Sequence, residues 1–292
     1  MSTIVAITRS VRPAQWLKNV LVFAPLIFAH QALEPHALLR SLAVFALFCL
    51  TSGAVYLVND LLDRASDRKH PVKCRRPIAS GELSPAAAAA AAALIGAGAL
   101  FAAALLDRRV AFILGIYLLL NLLYSRVLKH LVILDVMTIA AGFVFRVVAG
   151  GIAVGVPLSS WLLLCTSLLA LFLGFGKRRH ELVLLEINAS THRPILAEYS
   201  PYFLDQLIAV VTTSTLVTYA LYTMDPVVHQ KLGTVCLPLT IPFVLYGIFR
   251  YLYLVHQKQE GGDPSQIIFS DRPLLVNVLL WAATAFFILY YR

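Results

Sequence analysis

The chain has 292 residues, of which 60% are hydrophobic and 13% charged, with a formal net charge of +9 and a mean hydropathy of +0.80. Soluble domains carry about one quarter charged residues, so this composition excludes an ordinary soluble globular protein and points to a multi-pass membrane protein. The positive charge gathers in short loops beside apolar runs without interleaved aromatics, which argues for no nucleic acid and for anionic lipid headgroups or a phosphorylated substrate as partners.

Nine apolar runs long enough to cross about 30 Å as helices are read at residues 16–33, 38–58, 86–106, 110–127, 132–155, 159–176, 207–224, 234–255 and 273–291. They are too long and too uniformly apolar for barrel strands, so the expected class is an all-α, multi-pass transmembrane helical bundle. With the N-terminus inside, eighteen basic residues, Arg193 among them, fall on the inner side and five, including Arg292, on the outer side. That excess places the N-terminus and the long loops 59–84, 177–206 and 256–272 in the cytoplasm of a cell with an inner membrane. No basic, apolar and small-residue leader is read, so the first run is expected to be a retained helix. No linker long enough to separate soluble domains occurs, and 1–292 reads as a single domain.

The first chemistry follows the second run. Asn59, Asp60, Asp63 and Asp67 project at about 0°, 100°, 40° and 80° around a helix, within one quarter of its circumference. Three carboxylates and an amide crowded at a span's end repel one another unless they share a cation, which marks a magnesium site on Asp60, Asp63 and Asp67 with Asn59 orienting it. A basic run follows: Arg64, Arg68, Lys69, Lys73, Arg75 and Arg76. It reads either as a solvated loop obeying the positive-inside bias or as cations touching the phosphate oxygens of a magnesium-bound diphosphate.

After the fourth run, Tyr124 to His130 carries Tyr124 and Lys129, which anchor the interface or turn toward a shared cleft. In the fifth run, Asp135, Thr138, Ile139, Gly142, Arg146 and Gly150 share one side. An intramembrane Arg146 needs an anion, either Asp135 or another carboxylate, or a substrate phosphate. Lys177, Arg178 and Arg179 follow the sixth run; Lys177 and Arg178 lie closest beneath it and are placed to reach a phosphate, whereas Arg179 reads as an orientation signal. The eight alanines 86–93, with Gly96 and Gly98, indicate close helix packing. The four cysteines show no metal spacing and are read as packing residues; the eight histidines show none either, and no ligand role is expected of them.

The pattern Asn-Asp-x-x-Asp-x-x-x-Asp over Asn59 to Asp67, after a hydrophobic span in a nine-span basic protein, resembles the UbiA-type intramembrane prenyltransferase superfamily. The resemblance covers nearly the full length and implies nine helices around a central cavity with a cytoplasmic cap. Members that use a prenyl diphosphate generally carry a second acidic motif after the fourth span. Here that stretch has Asp135 amid Tyr124, Arg126 and Lys129, which is similar to the polyprenyl-phosphate phosphoribosyltransferase branch. Arg12 to Asn19, Tyr124 to His130, Arg146 to Gly151, Gly176 to Arg178 and the tail from Asp263 through Pro273 match that branch as well.

This resemblance implies transfer of 5-phosphoribosyl from phosphoribosyl diphosphate to a long polyprenyl phosphate such as decaprenyl phosphate, with Mg2+ as cofactor. The acceptor phosphate has a second pKa of about 6 and is itself an anionic nucleophile, so no general base is required. Asp60, Asp63 and Asn59 are the expected catalytic residues, assisting departure of diphosphate. Gln15, Lys18, Arg68, Lys73, Arg75, Arg76, Tyr124, Lys129, Arg146, Lys177 and Arg178 are the expected substrate contacts, undivided between the two substrates. The alternatives are an aromatic prenyltransferase of the same superfamily and, from another class, a lipid or solute transporter. Small-residue faces permit a homo-oligomer as readily as a tight monomer.

Overall fold

A computed structural model describes residues 3–187, 194–258, 262 and 264–291; Arg193, Asp263 and Arg292, used above in the charge count and the tail motif, lie outside them. Among the described residues the regular structure is all helical, without strands. In chain order the α-helices are α1 (Thr3–Ser10), α2 (Ala24–Phe28), α3 (Pro35–Leu62), α4 (Arg64–Lys69), α5 (Pro77–Ser80), α6 (Pro85–Leu106) and α7 (Arg108–Arg126). They continue as α8 (Leu134–Val154), α9 (Ser160–Ile187), α10 (Pro201–Met224), α11 (Pro226–Leu232), α12 (Ile241–His256), α13 (Pro264–Ser270) and α14 (Arg272–Tyr290).

Several starts follow one local rule, a capping side chain followed by proline at the first helical position. Ser84 Oγ accepts from Ala87 N at 3.2 Å before Pro85, Ser200 Oγ from Phe203 N at 3.1 Å before Pro201, and Asp225 from Val227 N at 2.8 Å before Pro226. Asp107 caps α7 without proline, accepting from Arg109 N at 2.8 Å. The Arg109 side chain also bonds it, which holds the Asp107 carboxyl below the usual carboxylate range.

Eight helical stretches are long and apolar enough to cross a membrane among the described residues, against the nine expected. The difference is the first run. Residues Pro13–Phe23 form a 3-10 helix entered through Arg12 at φ 53°, and the five-residue α2 follows. Pro13 at the first position costs no helical donor, but Pro25 within the run removes one that a continuous α-helix would use. Eleven residues at about 2 Å each and five at about 1.5 Å still extend roughly 30 Å, the thickness of a hydrocarbon core.

The chain divides into two compact units, neither of them one continuous stretch. The first unit comprises 1–25, 34–129 and 145–157. Its core joins Val22, Val44, Phe48, Leu114, Tyr117 and Ala149, and a second cluster under α1 joins Ala6, Leu57, Ile78 and Ala88. The buried positions Ala88, Ala92, Gly96, Ala99 and Ala103 form one stripe along α6, and an added Cβ on Gly96 would stand 3.7 Å from Ala54 Cβ; Gly98, expected to pack closely with them, is exposed instead, two residues past Gly96 and off that stripe, with nothing within 4 Å of an added Cβ. At Gly150 of α8 the approach is closer still, because a Cβ there would lie 2.1 Å from Val22 O. Only glycine lets the 3-10 segment pass α8 at that distance.

The second unit comprises 26–33, 130–144 and 158–292. Its core joins Val136, Phe172, Phe175, Leu204, Ile248 and Tyr251. The start of α14 illustrates how it is pinned. Asp271 accepts from Leu274 N at 2.8 Å and from Arg250 Nη2 at 2.8 Å. The Arg250 hydrogen bond is the main reason the Asp271 carboxyl lies below the usual carboxylate range. A depressed carboxyl stabilises the fold above its unfolded value and loses that contribution as pH falls through the folded value. Asp271→Ala is therefore expected to cost about 1 kcal/mol at neutral pH, with the gap to wild type closing as melting is followed into the acid range.

Candidate active site

The site in the first unit grows from the end of α3. Asp63, at φ −91° and ψ 5°, closes that helix and opens α4, yet the four-residue ladder continues through it. Asp63 N bonds Asn59 O at 2.9 Å and Asp67 N bonds Asp63 O at 2.8 Å. The acidic residues thus keep helical spacing across the joint, and Asp60 and Asp67 face the same way. One nitrogen, Arg76 Nη1, stands 3.1 Å from Asp60 Oδ1 and 2.6 Å from Asp67 Oδ2.

Asp60 and Asp67 are buried, whereas the Asp63 side chain is 38% exposed. Asp60 also receives the Arg12 guanidinium, whose carbon lies 4.8 Å from the Tyr56 ring centroid. Asp63 meets Lys129 Nζ at 2.8 Å. Asn59 receives the Ser125 hydroxyl. Lys129 arrives because α7 stops at Arg126 and a 3-10 turn, Leu128–His130, follows. The break expected between Tyr124 and Lys129 therefore exists, and it aims the lysine at the first acidic motif.

The basic run after the motif is unevenly used. Arg76 bridges two carboxylates, and Arg68 Nε donates to Ala79 O at 3.1 Å. Arg75 is exposed, and Lys73 is half-buried. His70 Nδ1 accepts from Val72 N at 3.1 Å and Lys73 N at 3.3 Å, and burial followed by the Lys73 charge lowers its pKa. Gln15 and Lys18 lie half-buried on the 3-10 segment, as Tyr124 does on α7.

Arg146 is buried on α8. Its Nε donates to Asn19 Oδ1 at 2.7 Å and its Nη2 to Tyr117 OH at 3.1 Å. Its guanidinium carbon lies 5.0 Å from the Tyr117 ring centroid and 5.5 Å from that of Phe48. Asn19 is itself oriented by Nδ2 contacts to Cys49 Sγ at 3.2 Å and Ser52 Oγ at 3.5 Å. Asp135, one of the anions expected for Arg146, is engaged elsewhere. Eleven residues of helix separate the two by about 16 Å, beyond an arginine's reach.

Asp135 instead binds Arg178 within the second unit, Nε to Oδ2 at 2.6 Å, with both side chains almost fully buried. Arg178 Nη1 meets Glu181 Oε2 at 2.6 Å. Tyr199 OH donates to Asp135 Oδ1 at 2.8 Å and accepts from Ile133 N at 2.6 Å. Burial pushes the Tyr199 hydroxyl up to about 12. Arg178, expected as a substrate contact, is thus committed to two carboxylates, of which Asp135 ties α9 to α8, while Lys177 beside it is half-buried. Arg179 does more than mark orientation, since its Nε lies 2.5 Å from Asp205 Oδ1. Breaking a buried pair strands a charge, so Arg178→Met is expected to destabilise the fold by about 3–5 kcal/mol. A second change, Asp135→Leu, should recover most of that loss in a thermal melt.

Arg12, Asn19, Tyr117, Ser125 and Tyr199 are the contributors that sequence reasoning passed over. Arg12 and Asn19 stand inside the Arg12 to Asn19 run, where a cation and an amide bordering an apolar segment were the available signal.

A divalent cation suits part of this site. Asp60 and Asp67 offer hard oxygens that already converge on one cationic nitrogen, the donor chemistry magnesium selects. Asp63 turns to Lys129, and among the described residues no three His, Cys, Asp or Glu side chains gather as a metal group. Asp60 and Asp67 would hold the ion, with Asp63 and Asn59 at its side.

Residues 20–270 match the model of the UbiA prenyltransferase family. A decaprenyl-phosphate phosphoribosyltransferase from Corynebacterium glutamicum is 34% identical, over 94% of this chain and 83% of that protein. A decaprenyl-phosphate phosphoribosyltransferase from Mycolicibacterium smegmatis is 32% identical over 94% and 90%. Among solved structures, a UbiA homolog from Archaeoglobus fulgidus bound to DMAPP and Mg2+ shares the fold with a TM-score of 0.69 at 18% identity, covering 98% of this chain and 99% of that one.

Proposed function

The chain belongs to the UbiA prenyltransferase family, and from that premise we propose that it transfers 5-phosphoribosyl from phosphoribosyl diphosphate to a long-chain polyprenyl phosphate, with magnesium. It is an integral membrane transferase of that family. Relatives similar over most of both chains carry the phosphoribosyltransferase name, which supports the choice of donor and acceptor.

One observation carries the reading. The segment after α7, where relatives using prenyl diphosphates generally place a second set of acids, delivers Lys129 onto Asp63 at 2.8 Å. A site furnished with Arg12, Arg76 and Lys129 around three aspartates suits two anionic substrates better than a prenyl diphosphate and a neutral ring.

In the reaction the lipid phosphate oxygen forms a bond to the anomeric carbon while the bond from that carbon to the diphosphate oxygen breaks, and diphosphate leaves. Magnesium, when bound, would supply positive charge to the departing diphosphate. Arg76 and Arg12 hold Asp60 and Asp67 in place and present guanidinium donors suited to phosphate oxygens. Lys129 adds a third cation at Asp63. Arg146, held by Asn19 and Tyr117, offers positive charge to the phosphate of the second substrate. The acceptor arrives already ionised, so no side chain here removes a proton. The proposed orientation places Asn59 to Asp67 on the cytoplasmic side of the inner membrane, consistent with the basic-residue excess.

The test supplies purified protein with labelled phosphoribosyl diphosphate and polyprenyl phosphate, and in parallel with prenyl diphosphate and 4-hydroxybenzoate. Labelled lipid and diphosphate should appear in the first mixture and vanish in excess chelator. Turnover confined to the second mixture, or undiminished by chelator, would overturn the proposal.

A further inference from the structure

Between α10 and α12 of the second unit lies a groove of about 500 Å³ that the proposed reaction leaves unused. Its size falls within the range of small-ligand sites. Along α10 its wall follows Asp205, Ile208, Ala209 and Thr212, and α12 supplies Leu252, Tyr253, His256 and Gln257. Seven residues of helix set Thr212 about 10 Å from Asp205 on nearly the same face. The groove therefore has polar groups at one end, at the start of α10 and the finish of α12, and apolar walls beyond.

Its surroundings face lipid. Val210 and Val217 of α10 and Leu245 and Phe249 of α12 are exposed on helices apolar enough to cross a membrane. An occupant entering from that surface is an amphiphile, with its headgroup at the polar end.

The polar end selects a headgroup by charge. Asp205 is 40% exposed. Its close contacts fall on Oδ1, from Arg179 Nε at 2.5 Å and His256 Nε2 at 3.2 Å. Its Oδ2 meets Arg179 Nη2 at 3.5 Å, leaving that oxygen with capacity for a strong donor. Arg179 fixes the carboxylate while its remaining N–H groups suit a phosphate. Farther in, the buried Thr212 hydroxyl has no hydrogen-bond partner, whereas Thr215 one turn on donates to Val211 O at 2.6 Å. A buried hydroxyl left unbonded is costly, and an acceptor on the ligand would satisfy it.

We propose that this groove binds a glycerophospholipid with an ammonium headgroup, the ammonium on Asp205, the phosphate beside Arg179 and an ester carbonyl accepting from Thr212. Phosphatidylethanolamine has all three groups. Phosphatidylglycerol lacks the ammonium, and a polyprenyl phosphate lacks both ammonium and ester.

The full chain, purified in detergent, is mixed with equimolar amounts of these three lipids, and retained adducts are read by native mass spectrometry. Wild type should retain phosphatidylethanolamine in excess. Asp205→Asn, which keeps the shape and an acceptor oxygen, should lower that retention about tenfold, as loss of one charge-assisted bond predicts. Thr212→Val should weaken both glycerophospholipids about threefold, and Thr212→Ser should restore them. Equal retention of phosphatidylethanolamine and phosphatidylglycerol by wild type, preferential retention of polyprenyl phosphate, or adducts unchanged by Thr212→Val would each overturn the proposal. If Asp205→Asn does not fold, the Thr212 pair decides alone. Transfer activity plays no part in these readouts, so failure of the proposed reaction leaves them interpretable.

Discussion

Asp63→Ala is expected to lower phosphoribosyl transfer by about a thousandfold, the scale of losing a preorganised electrostatic contact at a departing group, while the melting temperature stays within a few degrees of wild type. The asymmetry comes from the way the three acids are held. Asp63 is 38% exposed and meets Lys129 at 2.8 Å, so its removal leaves a lysine that can turn to water. Asp60 is buried and carries Arg12 and Arg76 together. Its removal strands Arg12, leaves Arg76 with Asp67 alone at 2.6 Å, and should cost about 1–3 kcal/mol of stability along with activity. Asp63 is accordingly the position at which chemistry and folding separate. Initial rates on purified protein, paired with a thermal melt, check both halves, and wild-type turnover in Asp63→Ala would remove it from the site.

Gly150→Ala is expected to be the most damaging single-methyl change in the first unit. The new Cβ would stand 2.1 Å from Val22 O, 2.9 Å from Val22 C and 3.2 Å from Val22 Cα. These are backbone atoms with no flexible end to swing aside, so the 3-10 segment Pro13–Phe23 must shift. Overpacking of a dense interior costs about 1–3 kcal/mol, and this contact belongs at the upper end. Asn19, three residues before Val22, orients Arg146, one helical turn before Gly150. The same shift should therefore reduce transfer as well as stability. Gly115→Ala, on a helix with nothing within 4 Å of its Cβ, serves as the control and should be neutral or slightly stabilising. Equal melting of the two variants would show that the Val22 approach does not matter.

The long helices were legible because twenty or so apolar residues leave the backbone no other arrangement in a bilayer. The pitch of the first run was not, since apolarity measures how much chain sits in lipid and says nothing about its winding. Pro25, inside the run, was the clue. The convergence of Asp60 and Asp67 was legible because residues seven apart on one helix share a face. Their partners were not, because Arg12 lies 48 positions from Asp60 and Asn19 lies 127 positions from Arg146, separations that no local period encodes. Asp135 looked like a partner for Arg146 through sharing a helical side, a criterion that ignores rise along the axis. Arg178 on the next helix claimed it instead.

The interleaving of the two units bears on how the protein is made. Residues 145–157 complete the unit that opens with 1–25, and residues 26–33 belong with segments that extend to the carboxyl end. A nascent chain halted near residue 140 therefore has its acidic motif but lacks the strand of helix bearing Arg146 and Gly150, and its early residues 26–33 await neighbours still inside the ribosome. Since domains generally consolidate as whole units during synthesis, neither half of this protein can mature before translation has passed well into the other.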